Sequence, residues 1–279
     1  MDGFRLVPDR KYAFFQHSAS ELLCAYTYPY ASAKELRICF DLVNDAYSTG
    51  HVLLNALQNP HWNNDSIWAR TCKDLSRRLQ EYDMPANHRR LLKHCKHYIA
   101  AAALEAKVRE RNEALAFERY MAALRRENSA VRFCFGLFGF VLGHDLPDEV
   151  FEHPVMMRMH LSAVDMVFYS YNVEQAMGHT TNNIMTILMK AENCDLHTAS
   201  DLSEEYFRKL MNDFQKDMAQ LPSWGPVMDA IVTKFVMAME YWVVESIHWS
   251  FETIRYFGPE RDEVKRTRIV RLCRKHPQF

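Results

Sequence analysis

The stretch Phe168-Tyr-Ser-Tyr-Asn-Val-Glu-Gln-Ala-Met-Gly178 is the most informative part of the chain. Its Ser170 and Glu174 are four residues apart, so on a helix they lie one above the other on the same face. A hydroxyl and a carboxylate placed in this way offer two hard oxygen atoms to one Mg²⁺ ion, which prefers oxygen ligands in octahedral geometry. The same spacing is also common on solvated helix faces, so the metal hypothesis depends on the rest of the chain.

Composition favours one helical, intracellular protein. The chain has 279 residues, of which 48% are hydrophobic and only 8 are glycine, and this balance favours long helices. The formal net charge of −1 provides no overall field that would attract nucleic acid. Seven cysteines without a Cys-x-x-Cys pair are typical of a reducing compartment. There is no apolar run long enough to span a membrane, so we expect a soluble cytoplasmic protein.

Helical periodicity extends along the chain. Ser32 and Glu35 form a capping-box pattern that opens a helix through Val43, and a separate helix is expected from 51 to 58. Residues 88–126 form one long alanine-rich helical pattern, and after Pro154 a long helix is expected to carry Ser170 and Glu174. No β alternation, internal repeat or flexible linker is visible, so residues 1–279 are predicted to form one all-α domain. Residues 259–279 form its basic C-terminal tail.

Three further groups of residues suggest binding of an anion and its counter-ions. Arg255-Tyr256 ends an aromatic helix and offers guanidinium and hydroxyl donors; the alternative is an arginine that caps the helix dipole. Arg125-Arg126 is either a second donor pair or an exposed basic helix end. Asp41 and Asp45 share a helix face and repel each other unless a cation lies between them; the alternative is a solvated turn. Together the four features predict a metal-held diphosphate at the mouth of an apolar cavity.

At this point the chain resembles the fungal, basidiomycete-type class I sesquiterpene synthases. The resemblance covers most of the chain, and its most specific parts surround Ser170 and Arg255. The stretches that carry it are Leu22-Leu-Cys-Ala-Tyr-Thr-Tyr-Pro-Tyr30, Leu36-Arg-Ile-Cys-Phe-Asp-Leu-Val-Asn44, Ala56-Leu-Gln-Asn-Pro-His61, 120–126, Leu146-Pro-Asp-Glu-Val150, Glu152-His-Pro-Val155, Tyr169-Ser-Tyr-Asn-Val-Glu-Gln175, Leu221-Pro-Ser-Trp-Gly-Pro226 and His248-Trp-Ser-Phe-Glu-Thr-Ile-Arg-Tyr-Phe-Gly258.

The resemblance implies a helical bundle around an apolar cavity and a specific chemistry. Such enzymes bind a prenyl diphosphate, here expected to be farnesyl diphosphate, through three Mg²⁺ ions, with Mn²⁺ as the alternative ion. The allylic cation left by diphosphate cyclises in an aromatic pocket. On this mapping the metal ligands are Asp45, Ser170 and Glu174. The catalytic donors are Arg125, Arg255 and Tyr256. The remaining substrate contacts are Arg126, Phe133, Phe135, Phe138 and Trp242.

The chain departs from the family at its second metal motif, Asn-Asp-x-x-Ser-x-x-x-Glu. Met166 and Val167 stand at the Asn and Asp positions, and the flanking sequence indicates that about a turn and a half of helix is missing. Asp165 is the nearest acid, but helix geometry turns it well away from the Ser170 face. Met177 and His179 replace the Lys and Asp that usually follow this motif.

The first metal motif and the N-terminus are also shorter than in the family. Asp41-Leu-Val-Asn44 passes directly to Asp45-Ala-Tyr-Ser-Thr49 without the usual apolar run, so Asp45 is the better ligand candidate. The family's first helix or two is expected to be missing. Two main hypotheses follow: an Mg²⁺-dependent terpene synthase, or a catalytically impaired relative that keeps its cavity and binds a lipid or a partner protein. A third, a prenyltransferase of the same helical class, would need two intact Asp-rich motifs, which the sequence lacks. The sequence does not indicate an oligomeric state.

Overall fold

All regular secondary structure in the described part of the chain is helical. The computed structural model describes residues 18–59, 61–111, 113–167, 170–178 and 183–273, with the backbone alone for 45–49. Within these ranges there are helices, turns and bends but no strand, as predicted for an all-α fold. No helix in the described ranges is both long and apolar enough to cross a bilayer.

Fourteen α-helical segments, numbered here in chain order, are found in the described ranges. They are α1 Ser20–Thr27, α2 Ala33–Gln58, α3 Ile67–Gln80, α4 Pro85–Glu110, α5 (Phe117–Arg119, the π-helical turn Tyr120–Arg125 and Arg126–Asn128), α6 Val131–Phe135, α7 Phe138–Leu142, α8 Asp148–Phe151, α9 Pro154–Asp165, α10 Tyr171–Ala176, α11 Ile184–Ala191, α12 Leu196–Met218, α13 Pro226–Glu252 and α14 Arg261–Thr267. A 3₁₀ turn, Gly258–Glu260, joins the last two.

The start of α2 was predicted correctly and its length was not. The Ser32 side chain caps the helix while Glu35 accepts from the Ser32 backbone amide at 3.0 Å, which is the expected capping box. The predicted boundary before residue 51 is wrong, because the helix runs without a break to Gln58. A Cβ atom at Gly50 would lie 3.2 Å from the Ile99 side chain, so glycine allows α2 and α4 to pack closely here.

The alanine-rich pattern at 88–126 forms two helices rather than the predicted single one. Helix α4 ends at Glu110, and α5 begins at Phe117. Between them Leu115 is buried in a small apolar cluster with Tyr120 and Leu124, which explains why the chain turns there. Helix α5 is followed by Ala130 in the left-handed region at φ 60°, so the chain changes direction again before α6.

Two apolar clusters meet beside the residues that were singled out in the sequence. The larger one contains the aromatic side chains of α6, α7 and α13, and the smaller one joins α5 to α11. Tyr206 on α12 packs against both clusters. Arg125 and Arg126 belong to α5, so they lie at the boundary between the two clusters.

His160 makes the fold sensitive to acid. It is buried against Phe135 and Phe151, with ring centroids at 5.2 and 5.4 Å. Burial, then Arg132 and Arg90, lowers the pKa of His160 from 6.5 to about 3. In the unfolded chain His160 is protonated below about pH 6.5, whereas in the folded chain it is protonated only below about pH 3. The free energy of unfolding therefore decreases as the pH falls from 6.5 to 3.

Between pH 7 and pH 5 this histidine should remove about 2 kcal/mol from the free energy of unfolding. Urea unfolding at the two pH values measures the loss. His160→Phe keeps the aromatic packing and should reduce the pH dependence by that amount. An equal pH dependence in wild type and variant would contradict the assignment.

Candidate active site

The helix expected to carry Ser170 and Glu174 from Pro154 onward is broken. Helix α9 ends at Asp165 and α10 begins at Tyr171, while Phe168 and Tyr169 lie outside the described residues. The carbonyl of Val167 accepts a hydrogen bond from the Arg125 guanidinium, in the position where a continuous helix would use it internally. The prediction of one long helix was therefore wrong, because a contact from α5 terminates it.

Ser170 and Glu174 nevertheless share one face of α10, as their spacing predicted. Ser170 is the N-cap of the helix, and its carbonyl accepts the Glu174 amide at 3.0 Å. The Glu174 carboxylate accepts a hydrogen bond from the side-chain amide of Asn183. Asn183 is buried and caps α11 through its bond to the Met185 amide at 2.9 Å. Sequence reasoning missed Asn183, for which the only local signal was its position before an apolar helix.

Arg125 lies beside the start of α10. Its guanidinium donates to the carbonyl of Val167, three residues before Ser170. Burial raises the pKa of the buried Tyr120 phenol; the positive charge of Arg125 opposes this shift, and the negative charge of Glu174 adds to it. The hydrogen bond, together with these opposite effects on one phenol, places Arg125 and Glu174 in the same region of the structure although they are 49 positions apart in the sequence.

Arg126, predicted to contact the substrate, is paired with Asp165 instead. Its Nε lies 3.0 Å from both carboxylate oxygens of Asp165, and its Nη2 lies 2.7 Å from one of them. Asp165 is only 1% exposed. Burial raises the pKa of the Asp165 carboxyl although the Arg126 guanidinium opposes the shift. This two-point pair fixes the end of α9 to α5, a role for Asp165 that the sequence did not indicate.

Of the two candidate acids of α2, Asp41 is the one whose side chain can be described. Asp41 is buried and bonds to Arg37 at 2.8 Å and to Arg78, so its charge is already balanced by two guanidiniums. It therefore serves to join α2 to α3. The side chain of Asp45, the predicted metal ligand, lies outside the described part of the structure.

The Arg255-Tyr256 turn packs against α10 on a different side from Glu174. The side-chain amide of Asn172 donates to the Tyr256 carbonyl at 3.2 Å. Asn172 and Glu174 are two residues apart, which corresponds to a rotation of about 200° around the helix. The Arg255 guanidinium lies over the Tyr256 ring at 5.7 Å, and that ring packs on Trp249 at 5.6 Å. The turn that carries Arg255 and Tyr256 therefore contacts α10 through the Tyr256 carbonyl. The other predicted donor, Arg125, bonds to Val167, just before α10.

A clamp formed by Asn172 and Gln175 holds the C-terminal tail on α10. The Cys273 amide donates to the Asn172 side chain at 2.7 Å, and the Gln175 side chain donates to the Cys273 carbonyl at 2.7 Å. Both amide side chains are buried. Because each bonds main-chain atoms, the clamp fixes the tail independently of the side chain at 273.

Asn172→Ala should release this clamp. Loss of a bond worth about 1 kcal/mol should speed hydrogen exchange of the Cys273 amide by about fivefold. Exchange followed by mass spectrometry or NMR measures the effect. Asn63→Ala, at an exposed position on another part of the surface, serves as the control and should leave the rate unchanged. Faster exchange in both variants would contradict the assignment.

The four predicted aromatic contacts, Phe133, Phe135, Phe138 and Trp242, are all buried. Phe135 stacks on Phe138 at 4.8 Å and meets Trp242 edge-on at 5.8 Å. These three rings form one cluster in the larger core, and Phe133 packs on Tyr98 beside it at 6.4 Å. A separate hollow of about 720 Å³ lies between residues 114–118 and helices α11 and α12.

The oxygen donors of α10 suit a divalent cation. The Glu174 carboxylate bonds a neutral amide, and the described residues include no cationic side chain in an ion pair with it. An acid left without a cation beside a hydroxyl on the same helix face fits Mg²⁺ or Mn²⁺. No cluster of three His, Cys, Asp or Glu residues able to hold a metal ion is present in the described ranges. Substrate oxygens would have to complete the coordination.

Comparison with known proteins identifies the family. The family model "Terpene synthase family 2, C-terminal metal binding" matches residues 31–213, which is more than half of the chain. The chain belongs to the terpene synthase family. As a class I terpene synthase it is grouped with the lyases that act on carbon–oxygen bonds to phosphate.

Two curated fungal proteins are similar to this terpene synthase over nearly its whole length, and a solved structure shares its fold. A bifunctional terpene synthase of Cyclocybe aegerita is 36% identical, and the alignment covers 97% of this chain and 84% of that protein. A Coprinopsis cinerea protein named linoleate 10R-lipoxygenase COP4 is 37% identical over 98% of this chain and 84% of its own. The crystal structure of an α-eudesmol synthase superposes with a TM-score of 0.78 at 16% identity, covering 89% of this chain and 90% of that one, and it supports the fold alone.

Proposed function

We propose that this terpene synthase ionises and cyclises farnesyl diphosphate to a sesquiterpene and releases diphosphate. The observation that carries the proposal is the bond from the Arg125 guanidinium to the Val167 carbonyl, which places a cation three residues before Ser170, at the start of the helix that carries Ser170 and Glu174. A guanidinium and a metal-binding carboxylate on facing helices are the groups that a diphosphate leaving group requires. The sequence relatives named as terpene synthases support the same chemistry.

Each polar residue has a role set by its chemistry. Arg125 would donate to diphosphate oxygens as a bidentate fork. Arg255 and the Tyr256 hydroxyl would add further donors, which requires their turn, now packed on another side of α10 from Glu174, to reach the same anion. Ser170, Glu174 and Asp45 would hold Mg²⁺ or Mn²⁺. When bound, the ions supply positive charge that stabilises the departing diphosphate. Arg126 serves the site indirectly, because its pair with Asp165 anchors α9.

Substrate binding requires a change of partner at Arg125. Its guanidinium now donates to the Val167 carbonyl, a neutral acceptor. A diphosphate carries negative charge and can accept two parallel bonds from one guanidinium, so it would bind Arg125 more strongly than this single neutral carbonyl does and would displace it. The release would free the Val167 carbonyl, three residues before Ser170. Arg125 would thus couple diphosphate binding to the position of the metal ligands.

Phe133, Phe135, Phe138 and Trp242 would form the walls that face the carbocation. Ring faces stabilise a cation within about 6 Å of the centroid, and a dry site delays quenching by water. In the structure three of these rings pack on one another, so the prenyl chain would have to separate them. Binding energy from the long apolar chain offsets the cost of opening the cluster.

A product assay tests the proposal directly. Purified protein is incubated with farnesyl or geranyl diphosphate and Mg²⁺, and volatile hydrocarbons and released diphosphate are measured. We expect a sesquiterpene from farnesyl diphosphate and none after chelation of the metal. A parallel incubation with linoleate and oxygen tests the activity in the name of the Coprinopsis relative. Oxidised linoleate without any terpene product would overturn the proposal.

A further inference from the structure

A small pocket lined mainly by cationic side chains lies between α4, α6 and the α8–α9 corner. It has a volume of about 140 Å³, too small for a prenyl chain. Its lining consists of Arg90, Lys93, His94, Arg132, Phe151, Glu152 and Met157. Along α4, His94 lies eleven residues before Glu105, whose charge acts on Tyr120, so about 16 Å of helix separates the pocket from the candidate active site.

Unpaired buried donors are concentrated at this pocket. Nη2 of Arg90, Nδ1 of His94 and Nε of Arg132 are buried without a hydrogen-bond partner, as is Nε2 of His160 directly behind them. His94 is 2% exposed and stacks on His160 with centroids 5.9 Å apart. Since buried polar groups are nearly always paired, and each orphan costs about 1–3 kcal/mol, such a concentration indicates a missing partner.

The carboxylates around the pocket hold its cations in place without using these donors. Arg90 bonds Asp148 through Nη1 at 2.6 Å, and Arg132 bonds Glu127 through Nη1. Lys93 lies 3.9 Å from Glu152 at the exposed rim. Nη2 of Arg90 lies 3.7 Å from Asp145, which is an ion-pair distance but too long for a hydrogen bond. Each arginine therefore hydrogen-bonds a carboxylate through Nη1 and keeps another nitrogen without a hydrogen bond.

Burial and local positive charge both disfavour positive charge in this pocket. Burial, then His160 and Arg132, keeps the pKa of His94 well below its usual range. Burial likewise lowers the pKa of the Arg90 guanidinium, although Asp148 and Asp145 oppose the shift. A small anion would offset the repulsion among these groups.

We propose that this pocket binds a small tetrahedral oxyanion of the phosphate class, held by Arg90, His94 and Arg132. Guanidinium forks match phosphate oxygens in geometry as well as in charge. The anion would join α4, α6 and the start of α9. It would therefore stabilise the fold without touching the diphosphate held at α10.

Thermal unfolding of the full chain in Mg²⁺-free buffer tests the proposal, with inorganic phosphate added at constant ionic strength. The wild-type Tm should rise by about 5 °C at a phosphate concentration one hundred times Kd. His94→Phe keeps the ring stack but removes the donor. Its phosphate affinity should fall at least tenfold, so the same phosphate concentration should raise its Tm by less. His97→Phe, one turn along α4 and outside the pocket lining, is the matched control and should keep the rise.

Two further variants keep the test decisive. Arg255→Gln should keep the phosphate-dependent rise, which separates this pocket from the diphosphate site. Arg132→Gln should lose it and replaces His94→Phe if that variant fails to fold. The proposal is overturned if wild-type Tm does not respond to phosphate, if the pocket variants respond like wild type, or if Arg255→Gln abolishes the response.

Discussion

Glu174→Gln is expected to fold like the wild type and to release diphosphate from farnesyl diphosphate at least a hundredfold more slowly. Glutamine keeps the shape of the side chain and an oxygen that can accept from Asn183, but it removes the negative charge. Mg²⁺ binds carboxylates much more strongly than neutral amides when few other ligands are present. The several kcal/mol that a catalytic metal contributes to the transition state correspond to a factor of one hundred or more.

Glu192→Gln is the matched control for this variant. Glu192 is an exposed acid at the end of α11, nine residues after Asn183, and its loss should leave the rate within twofold of wild type. Diphosphate release is measured at several Mg²⁺ concentrations, because a lost ligand should also raise the Mg²⁺ concentration needed for half-maximal rate. If Glu174→Gln has the same rate and the same Mg²⁺ dependence as the wild type, Glu174 is not a metal ligand.

Asp165→Ala should reduce the free energy of unfolding by about 3–5 kcal/mol, the largest effect on stability expected here. The substitution leaves the Arg126 guanidinium, which is 27% exposed, without its two-point partner. Removing one member of a buried ion pair costs this much because the other charge remains poorly solvated. Urea unfolding monitored by circular dichroism gives the value.

A double variant separates loss of the pair from loss of one acid. In Asp165→Ala/Arg126→Met the stranded charge is gone, so most of the lost stability should return. Glu204→Ala breaks an exposed pair with Arg208 and should change stability by less than about 1 kcal/mol. If Asp165→Ala matches this surface control, the pair does not anchor α9.

Local sequence patterns predicted the features that depend on local chemistry. The capping box of α2 and the shared face of Ser170 and Glu174 follow from spacings of three and four residues, and both are confirmed. The family resemblance assigned Phe133, Phe135, Phe138 and Trp242 to the substrate; all four are buried, and their contact with substrate remains a prediction. The all-α class followed from the same periodicity.

The features that were missed depend on contacts between distant segments. Helix α9 ends where Arg125 and Arg126, about forty residues earlier, bond to Val167 and Asp165. Asn183 acquires its role only because α11 returns beside α10. A helical pattern at 88–126 contains nothing that requires Leu115 to turn inward, because that burial is decided by α11. The roles of all the site residues remain predictions: Arg125, Arg255 and Tyr256 as catalytic donors, Asp45, Ser170 and Glu174 as metal ligands, and Arg126, Phe133, Phe135, Phe138 and Trp242 as substrate contacts.

The clamp at Cys273 has a practical consequence for protein engineering. Shortening the chain before this residue, to discard a basic and seemingly dispensable end, would remove the main-chain partner of two side chains on the helix that carries Ser170 and Glu174. A trimmed expression version could then lose turnover through a loosened ligand helix and be mistaken for evidence that the gene product is inert. Boundaries for recombinant work should therefore retain the complete C-terminus.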